Sequence, residues 1–385
     1  MAKSGNLQIA VIGGGPIGLE AALYAHTLGL DVTLYEHGQP GEHVGRWGFL
    51  RMFTPFGMNT TTLGKKSVRE GTKTELPSDT ALLTGREYRD TYLSPLAQSP
   101  ALKDAVRGQT AVLAVGRTGW RKSDPPNRSL PPFRLLLRGV NNQESFATAD
   151  VVLDCSGVFH KPHWIGDGGL PAAGEAASRQ HIPYWVEDIR GAKKNHYAGK
   201  SVIVIGDGHS AATTICDLMD LGAENQSTWV IWLTRGSRTQ PVLRVPNDPI
   251  RDRDRLAVKA NGLATRCDGN LEYHTDNRIV EVVSSGPDKG YRVVTQSAGG
   301  QSRTWEAERL IANVGYKPDQ TLTSELRVTE PDGDVMTGEP GYYILGAKSH
   351  GRRSGFLLRD AHDQIRRVFA DIQGSARLDL YSKAA

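Results

Sequence analysis

The chain has 385 residues, with 46 Lys and Arg against 42 Asp and Glu, a formal charge of +4, and 38% apolar residues. That length exceeds one ordinary core and predicts two domains, while the small charge, with no basic run interleaved with aromatics, argues against nucleic-acid binding. No apolar run is long enough to span a bilayer, and the three scattered cysteines, Cys155, Cys216 and Cys267, argue against a disulfide scaffold. Three unpaired thiols and an opening, MAKSGNLQ, without the charged-then-apolar order of an export signal predict a cytoplasmic protein.

The first informative stretch is Ile9 to Glu36. A short apolar run, Ile9 to Ile12, enters the turn Gly13-x-Gly15-x-x-Gly18. A helical stretch follows, and a second apolar run, Val32 to Tyr35, ends at Glu36. Each glycine has a physical task. Gly13 permits the tight turn, Gly15 lets backbone approach a pyrophosphate, and Gly18 lets helix pack on strand. The helix start, through Pro16 and Ile17, offers free N–H groups and a positive dipole end to that pyrophosphate. Glu36 stands where a carboxylate accepts hydrogen bonds from an adenosine ribose. A bound dinucleotide is expected, and the position near the start of the sequence favours FAD.

The segment GEHVGRWGFLRMFTPFGMNTT is rich in Gly, aromatics and Arg without clear periodicity, and reads as an ordered loop rather than a helix or strand. Its Trp47, Arg51, Phe53, Phe56 and Asn59 either wall a flat ring system or cap the core. A helix is expected over Thr84 to Ala97 with Thr84 as its cap. Strands are expected at Thr110 to Val115 and Phe133 to Arg138, joined by a surface loop, RKSDPPNRSLPP. DVVLDCSG, Asp150 to Gly157, reads as a buried strand ending in a small-residue turn.

The opening pattern then recurs from Ser201 in SVIVIGDGHSAATTICDLMDLG, followed by the strand Trp229 to Leu233. The turn is now Gly206-x-Gly208-x-x-Ala211, with Ala in the third place, an allowed exchange at the helix–strand contact. Two such units in one chain are far more specific than one. The second strand here ends not in an acid but in Thr234-Arg235-Gly236-Ser237-Arg238. An acid would bind a 2′-hydroxyl and repel a 2′-phosphate, so Arg235 and Arg238 favour NADPH over NADH. His209, beside Ser210 in the turn, either faces the nicotinamide or caps the helix.

PNDPIRDRDR reads as a polar stretch, with strands expected at Leu271 to His274, Ile279 to Ser284 and Tyr291 to Thr295. ERLIANVGYKPD, Glu308 to Asp319, repeats the strand-then-glycine form and marks the return to the first domain. A last strand, Tyr342 to Leu345, leads through Gly346 and Gly351 into a helix whose start is a natural place to stabilise negative charge. The fold expected is α/β: two Rossmann-like dinucleotide-binding domains, with 1–157 and 316–385 for FAD and an inserted 158–315 for NAD(P)H.

Taken together, GGGPIGLEAALYAHTLGLDVTLYE, DVVLDCSG, VIVIGDGHSA, IANVGYKPD and LGAKSHGR resemble the two-dinucleotide-binding-domain flavoproteins, within them the flavin-containing monooxygenase-like branch of bacterial NADPH/FAD oxidoreductases. The resemblance implies an FAD-dependent enzyme reduced by NADPH. It further implies a monooxygenase that passes one oxygen atom of O2, through a flavin C4a-hydroperoxide, to a small soft nucleophile (S, N or As). An NADPH oxidase or reductase without oxygenation, or a non-catalytic flavin redox sensor, are the alternatives. A closely spaced reactive cysteine pair is absent from the sequence, which disfavours a dithiol reductase. Residues expected around the flavin are Arg46, Trp47, Gly157, Gly346, Lys348 and Ser349, with Trp47, Arg51 and Lys348 gathered at the reacting ring. Where relatives commonly place an Asp for the FAD ribityl chain, Gly346-Ala347-Lys348 stands. No metal site is expected; His160, His163 and His350 read as loop residues. Expected partners are a small-molecule substrate and O2, with no nucleic acid, no membrane, and homodimerisation left open.

Overall fold

A computed structural model describes residues 6–383, apart from 126–129, 225–226, 268, 287, 331 and 352–354. Part of the RKSDPPNRSLPP connection and the residues Arg352 to Ser354 of the C-terminal motif therefore lie outside the described residues. The chain divides into two compact units, Met1–Lys161 with Lys317–Ala385, and Pro162–Tyr316.

In chain order, the first unit begins with β1 (Gln8–Ile12), α1 (Pro16–Thr27), β2 (Asp31–Tyr35), α2 (Glu42–Arg46) and α3 (Thr62–Gly71). It continues through β3 (Val106–Arg107), β4 (Ala111–Arg117), β5 (Phe133–Arg138), β6 (Glu144–Ala149) and β7 (Val151–Asp154). The second unit holds β8 (Ser201–Ile205), α4 (His209–Glu224), β9 (Trp229–Leu233), α5 (Arg251–Arg266), β10 (Leu271–His274), β11 (Arg278–Ser284), β12 (Tyr291–Gln296), β13 (Ser302–Ala307) and β14 (Arg309–Ala312). The first unit resumes with β15 (Tyr342–Ile344) and α6 (Leu358–Ile372).

Each unit is a parallel sheet with an antiparallel three-stranded sheet added. In the first, the parallel order is β15-β7-β1-β2-β3, beside β4-β5-β6; in the second, β10-β9-β8-β14, beside β11-β12-β13. The apolar runs predicted as buried strands are so: Ile9 to Ile12 and Val202 to Ile205 are each at most 6% exposed. Central parallel strands lie covered on both faces, which explains their continuous rather than alternating apolar character. The α/β class with two Rossmann-like units is the fold observed. Among the described residues, no helix is long and apolar enough to cross a membrane.

Three stretches differ from the sequence reading. The 41–61 segment is not wholly irregular: it contains α2 and a 3-10 turn at Phe56–Met58, whose Phe56 is buried. PNDPIRDRDR runs into the 16-residue α5, whose buried face is Ala257, Ala260, Asn261, Leu263 and Ala264. Small alanines carry that face, so its helical period is faint beneath the charges. The strand β13, SRTWEA, is largely exposed and polar, and shows little apolar alternation. The helical region from Gly85 to Gln98 forms as expected under a Thr84 capping box, interrupted by a π-helical turn at Arg89–Leu93.

One residue of α1 departs from its surroundings. The run Leu19 to Ala25 is buried throughout, and it includes Glu20 at 1% exposure. The Glu20 carboxylate accepts hydrogen bonds from the Thr61 hydroxyl at 2.8 Å and from the Tyr92 hydroxyl. Thr61 also caps α3, accepting the Gly64 N–H at 2.8 Å, so Glu20 ties α1 to the start of α3. Burial pushes the Glu20 carboxyl up to about 7, with the Tyr92 and Thr61 hydrogen bonds working against it. Because the folded value lies above the unfolded one, the native state holds the extra proton between these values, and stability falls as pH rises toward 7. Thermal unfolding across pH 5 to 8 should show a loss of about 1.4 kcal/mol per pH unit inside that window. Glu20→Gln, which retains the acceptor, should flatten the slope. An unchanged slope in that variant would remove Glu20 as its source.

Candidate functional site

The C-terminal edge of the first parallel sheet is shaped by steric contact. Gly13 has φ +100°, and a Cβ there would lie 2.7 Å from the Cys155 carbonyl oxygen just beyond β7. A Cβ at Gly18 would meet the Gly13 carbonyl oxygen at 1.8 Å. Both glycines are demanded by packing. Gly15 is not: its φ of −78° suits any residue, and a Cβ there would meet nothing within 4 Å. The open space lies at the N-cap of α1, where Pro16 occupies the first turn without an acidic residue. A glycine with no protein contact to satisfy, at a free helix start, fits an anionic ligand approaching the backbone. Glu36, just past β2, accepts the Gly14 N–H at 2.5 Å and the Gly38 N–H at 2.8 Å. Its carboxylate is thereby fixed at the turn, with lone pairs left for a ribose.

α2 follows directly, joined to the turn by the Gly41 N–H to the Gly14 carbonyl at 2.9 Å. His43 is exposed and stacks on Phe159, ring centroids 5.0 Å apart at 17°. Arg46 is exposed and paired with Glu42 at 3.0 Å. Trp47 lies half-buried against Gly85, where a Cβ would come within 2.6 Å of the indole, and its buried Nε1 has no partner among the described residues. An orphaned indole donor fits a ligand acceptor at this place. Arg51 is exposed and its backbone bridges to Thr84.

Lys348 and Ser349 differ from expectation. Lys348 is 1% exposed, with Nζ 2.6 Å from Asp154 Oδ2 and 3.1 Å from the Ser156 hydroxyl. Asp154 also accepts from Tyr342 at 2.9 Å and from the Ser156 hydroxyl at 2.6 Å. Burial pushes this carboxyl up, but the Lys348 charge and the hydrogen bonds outweigh it and hold it below the usual range. Ser349 donates to the Gly346 carbonyl at 2.8 Å and accepts from Gln364 at 2.7 Å. Both side chains are engaged within the protein, and the Lys348 charge, expected beside a ring with Trp47 and Arg51, is paired with Asp154. Gly157 (φ +72°) and Gly346 (φ +78°) both use backbone that glycine favours, and a Cβ at Gly346 would come within 2.5 Å of Ile17 Cδ1.

The second unit repeats the construction. Gly206 has φ +136°, and its Cβ would lie 2.2 Å from the Asn313 carbonyl oxygen just beyond β14 and 3.5 Å from the Ala211 Cβ. A Cβ at Gly208 meets nothing within 4 Å, as at Gly15. His209 opens α4, half-buried, its imidazole held below the usual range by burial and then by the Arg253 charge; Ser210 beside it is exposed. Past β9, Arg235 is exposed and makes no ion pair among the described residues, whereas Arg238 pairs with Asp207 at 3.2 Å. Sequence reading passed over Asp154, Asp207, His43 and Phe159. Asp154 and Asp207 flank the motifs themselves, the one signal available; His43 and Phe159 carry none.

Residues 8–40 match the pattern of the pyridine nucleotide-disulphide oxidoreductase family. No curated protein matches the chain. Among solved structures, it is similar to the bacillithiol disulfide reductase of Bacillus cereus, with TM-score 0.71, 15% identity, and coverage of 96% of this chain and 99% of that one. It is also similar to the FAD-bound cadaverine monooxygenase of desferrioxamine biosynthesis from Erwinia amylovora, with TM-score 0.66, 16% identity, and 97% of each chain covered. The ornithine N-hydroxylase of Kutzneria, solved with reduced FAD, NADP+ and L-ornithine, matches with TM-score 0.62 and 15% identity over 96% of this chain and 99% of that one. These likenesses show the fold.

The buried Asp154–Lys348 pair gives a direct test. Lys348→Met leaves an uncompensated buried carboxylate and should destabilise the fold by about 3–5 kcal/mol. Asp154→Asn combined with Lys348→Met should recover part of that loss in thermal melts. Equal melting of Lys348→Met and the parent would show that the pair carries no such role.

Proposed function

We propose that the chain is an FAD-dependent oxidoreductase reduced by NADPH that passes its electrons to molecular oxygen, with transfer of one oxygen atom to a small sulfur, nitrogen or arsenic nucleophile as its specific activity. One observation carries the first half. Both glycine turns contain a middle glycine, Gly15 and Gly208, that no protein contact requires, and each opens a helix. A single chain with two such turns binds two dinucleotides, one for each unit. When bound, NADPH supplies hydride and FAD relays its electrons onward.

The chain's own residues bind and orient. In the first unit, the free N–H groups of α1 and the space at Gly15 suit the FAD pyrophosphate, Glu36 suits its ribose, and the Trp47 indole N–H suits a ring acceptor. In the second, Gly206 to Ala211 offers the same cradle at the start of α4, and the cationic turn after β9 favours NADPH.

The choice of acceptor rests on the thiols. Cys155 is buried, and burial pushes its thiol far above the usual range; Cys216 is buried and pushed up to about 12. Thiols so hard to ionise are poor nucleophiles toward a disulfide. Cys267 is exposed, 51 residues from Cys216 in sequence and outside any Cys-x-x-Cys spacing. The described thiols therefore do not favour disulfide reduction, whereas the similarity to a cadaverine monooxygenase and an ornithine N-hydroxylase is compatible with oxygen as acceptor.

Gly15→Val tests cofactor binding. Valine is sterically allowed at that φ, and its Cβ meets no protein atom, so the fold should persist while flavin is lost. The purified variant should be colourless with parental far-UV circular dichroism. Parental flavin absorbance would refute the assignment. For the acceptor, NADPH consumption should cease when oxygen is removed and should not resume on adding a small disulfide. Resumption would establish a disulfide reductase instead.

A further inference from the structure

The second glycine turn carries a charge that the first lacks. Asp207 stands between Gly206 and Gly208, where the first unit has Gly14. A diphosphate resting on the turn would meet a carboxylate one residue away, an unfavourable meeting of like charges. Arg238 answers it, with NH2 3.2 Å from Asp207 Oδ2 and both side chains about half exposed.

The arginine and the turn are each held through a backbone carbonyl. The Arg238 carbonyl accepts the Tyr273 hydroxyl at 2.6 Å, and that hydroxyl lies 3.0 Å from the Thr234 hydroxyl. The Gly206 carbonyl accepts the Trp232 indole N–H at 2.7 Å. Trp232 and Tyr273 pack with ring centroids 5.1 Å apart, so turn and arginine are mounted on neighbouring side chains. An exposed ion pair adds little to folding stability, so this mounting has its consequence at the turn. The first unit makes the same cross-connection with opposite polarity: there the acid, Glu36, follows the second strand and reaches back to the turn's N–H.

We propose that Arg238 neutralises Asp207 at the diphosphate turn, and that Arg235, not Arg238, discriminates for the 2′-phosphate. Arg235 lies one residue past Thr234, exposed and without an ion pair among the described residues. Arg238 instead makes the turn tolerable to the diphosphate that NADPH and NADH share. The inference rests on the reading of the second unit as the nicotinamide nucleotide domain.

Titration calorimetry of the FAD-loaded full chain with NADP+ and with NAD+ tests it. Arg235→Ala should weaken NADP+ by about tenfold or more, the weight of a charge-assisted hydrogen bond, and leave NAD+ within about twofold of the parent. Arg238→Ala should weaken both nucleotides by a similar factor. Asp207→Asn added to Arg238→Ala should return NAD+ affinity to within about twofold of the parent, because the opposing charge is gone. An Arg238→Ala effect confined to NADP+ overturns the inference, as does a double variant binding NAD+ no better than Arg238→Ala. If the parent binds FAD but neither nucleotide, the reading of the second unit falls, and this inference with it; the two failures are thus distinct.

Discussion

A backbone carbonyl wedged against a glycine sets the geometry of each unit. Cys155 O lies 2.7 Å from the place of a Gly13 Cβ, and Asn313 O lies 2.2 Å from that of a Gly206 Cβ. Any side chain at either position would drive the central strand from its neighbour. The close approach is what lets a helix start directly above the strand end, with its first N–H groups turned outward. Beside each such contact lies the open space at Gly15 or Gly208.

Charge then separates the two otherwise similar edges. In the first unit, a carboxylate beyond the second strand closes on the turn's own N–H groups, leaving an acceptor for hydroxyls. In the second, the acid sits in the turn and the cation beyond the strand. The two edges thus carry acid and cation in opposite places. Deeper in the first unit, Asp154 and Lys348 join the ends of β7 and β15 through a buried pair whose oxygens are also bonded to Ser156 and Tyr342. A pair so enclosed ties the ends of those elements together.

The strands and turns were legible because their signals are local. An apolar run, a glycine spacing and a terminal charge lie within about thirty residues, as the context of this motif requires. The unread parts are of two kinds. α5 hides its buried face in alanines among arginines and aspartates, so its period is carried by size rather than hydropathy. Lys348 and Asp154 are 194 residues apart in sequence, and Asp207 and Arg238 are 31 apart, so neither pairing follows from spacing. An arginine seen only in sequence is a charge without a partner; the fold decides whether that charge is available.

The same distinction governs the reading of chemistry. A lysine and a serine after the last strand invite assignment to a reacting ring, yet the packing that places them there also buries and bonds them. Trp47 is the converse case: an aromatic that sequence could assign to ligand or core, half-buried, with its one side-chain donor left without a partner among the described residues. Buried polar atoms in native proteins are nearly always bonded, so such an exception is a stronger indicator than residue type. What stands out in the first unit is less its charged residues than what is left unfilled: the space at Gly15 and, among the described residues, the indole N–H of Trp47.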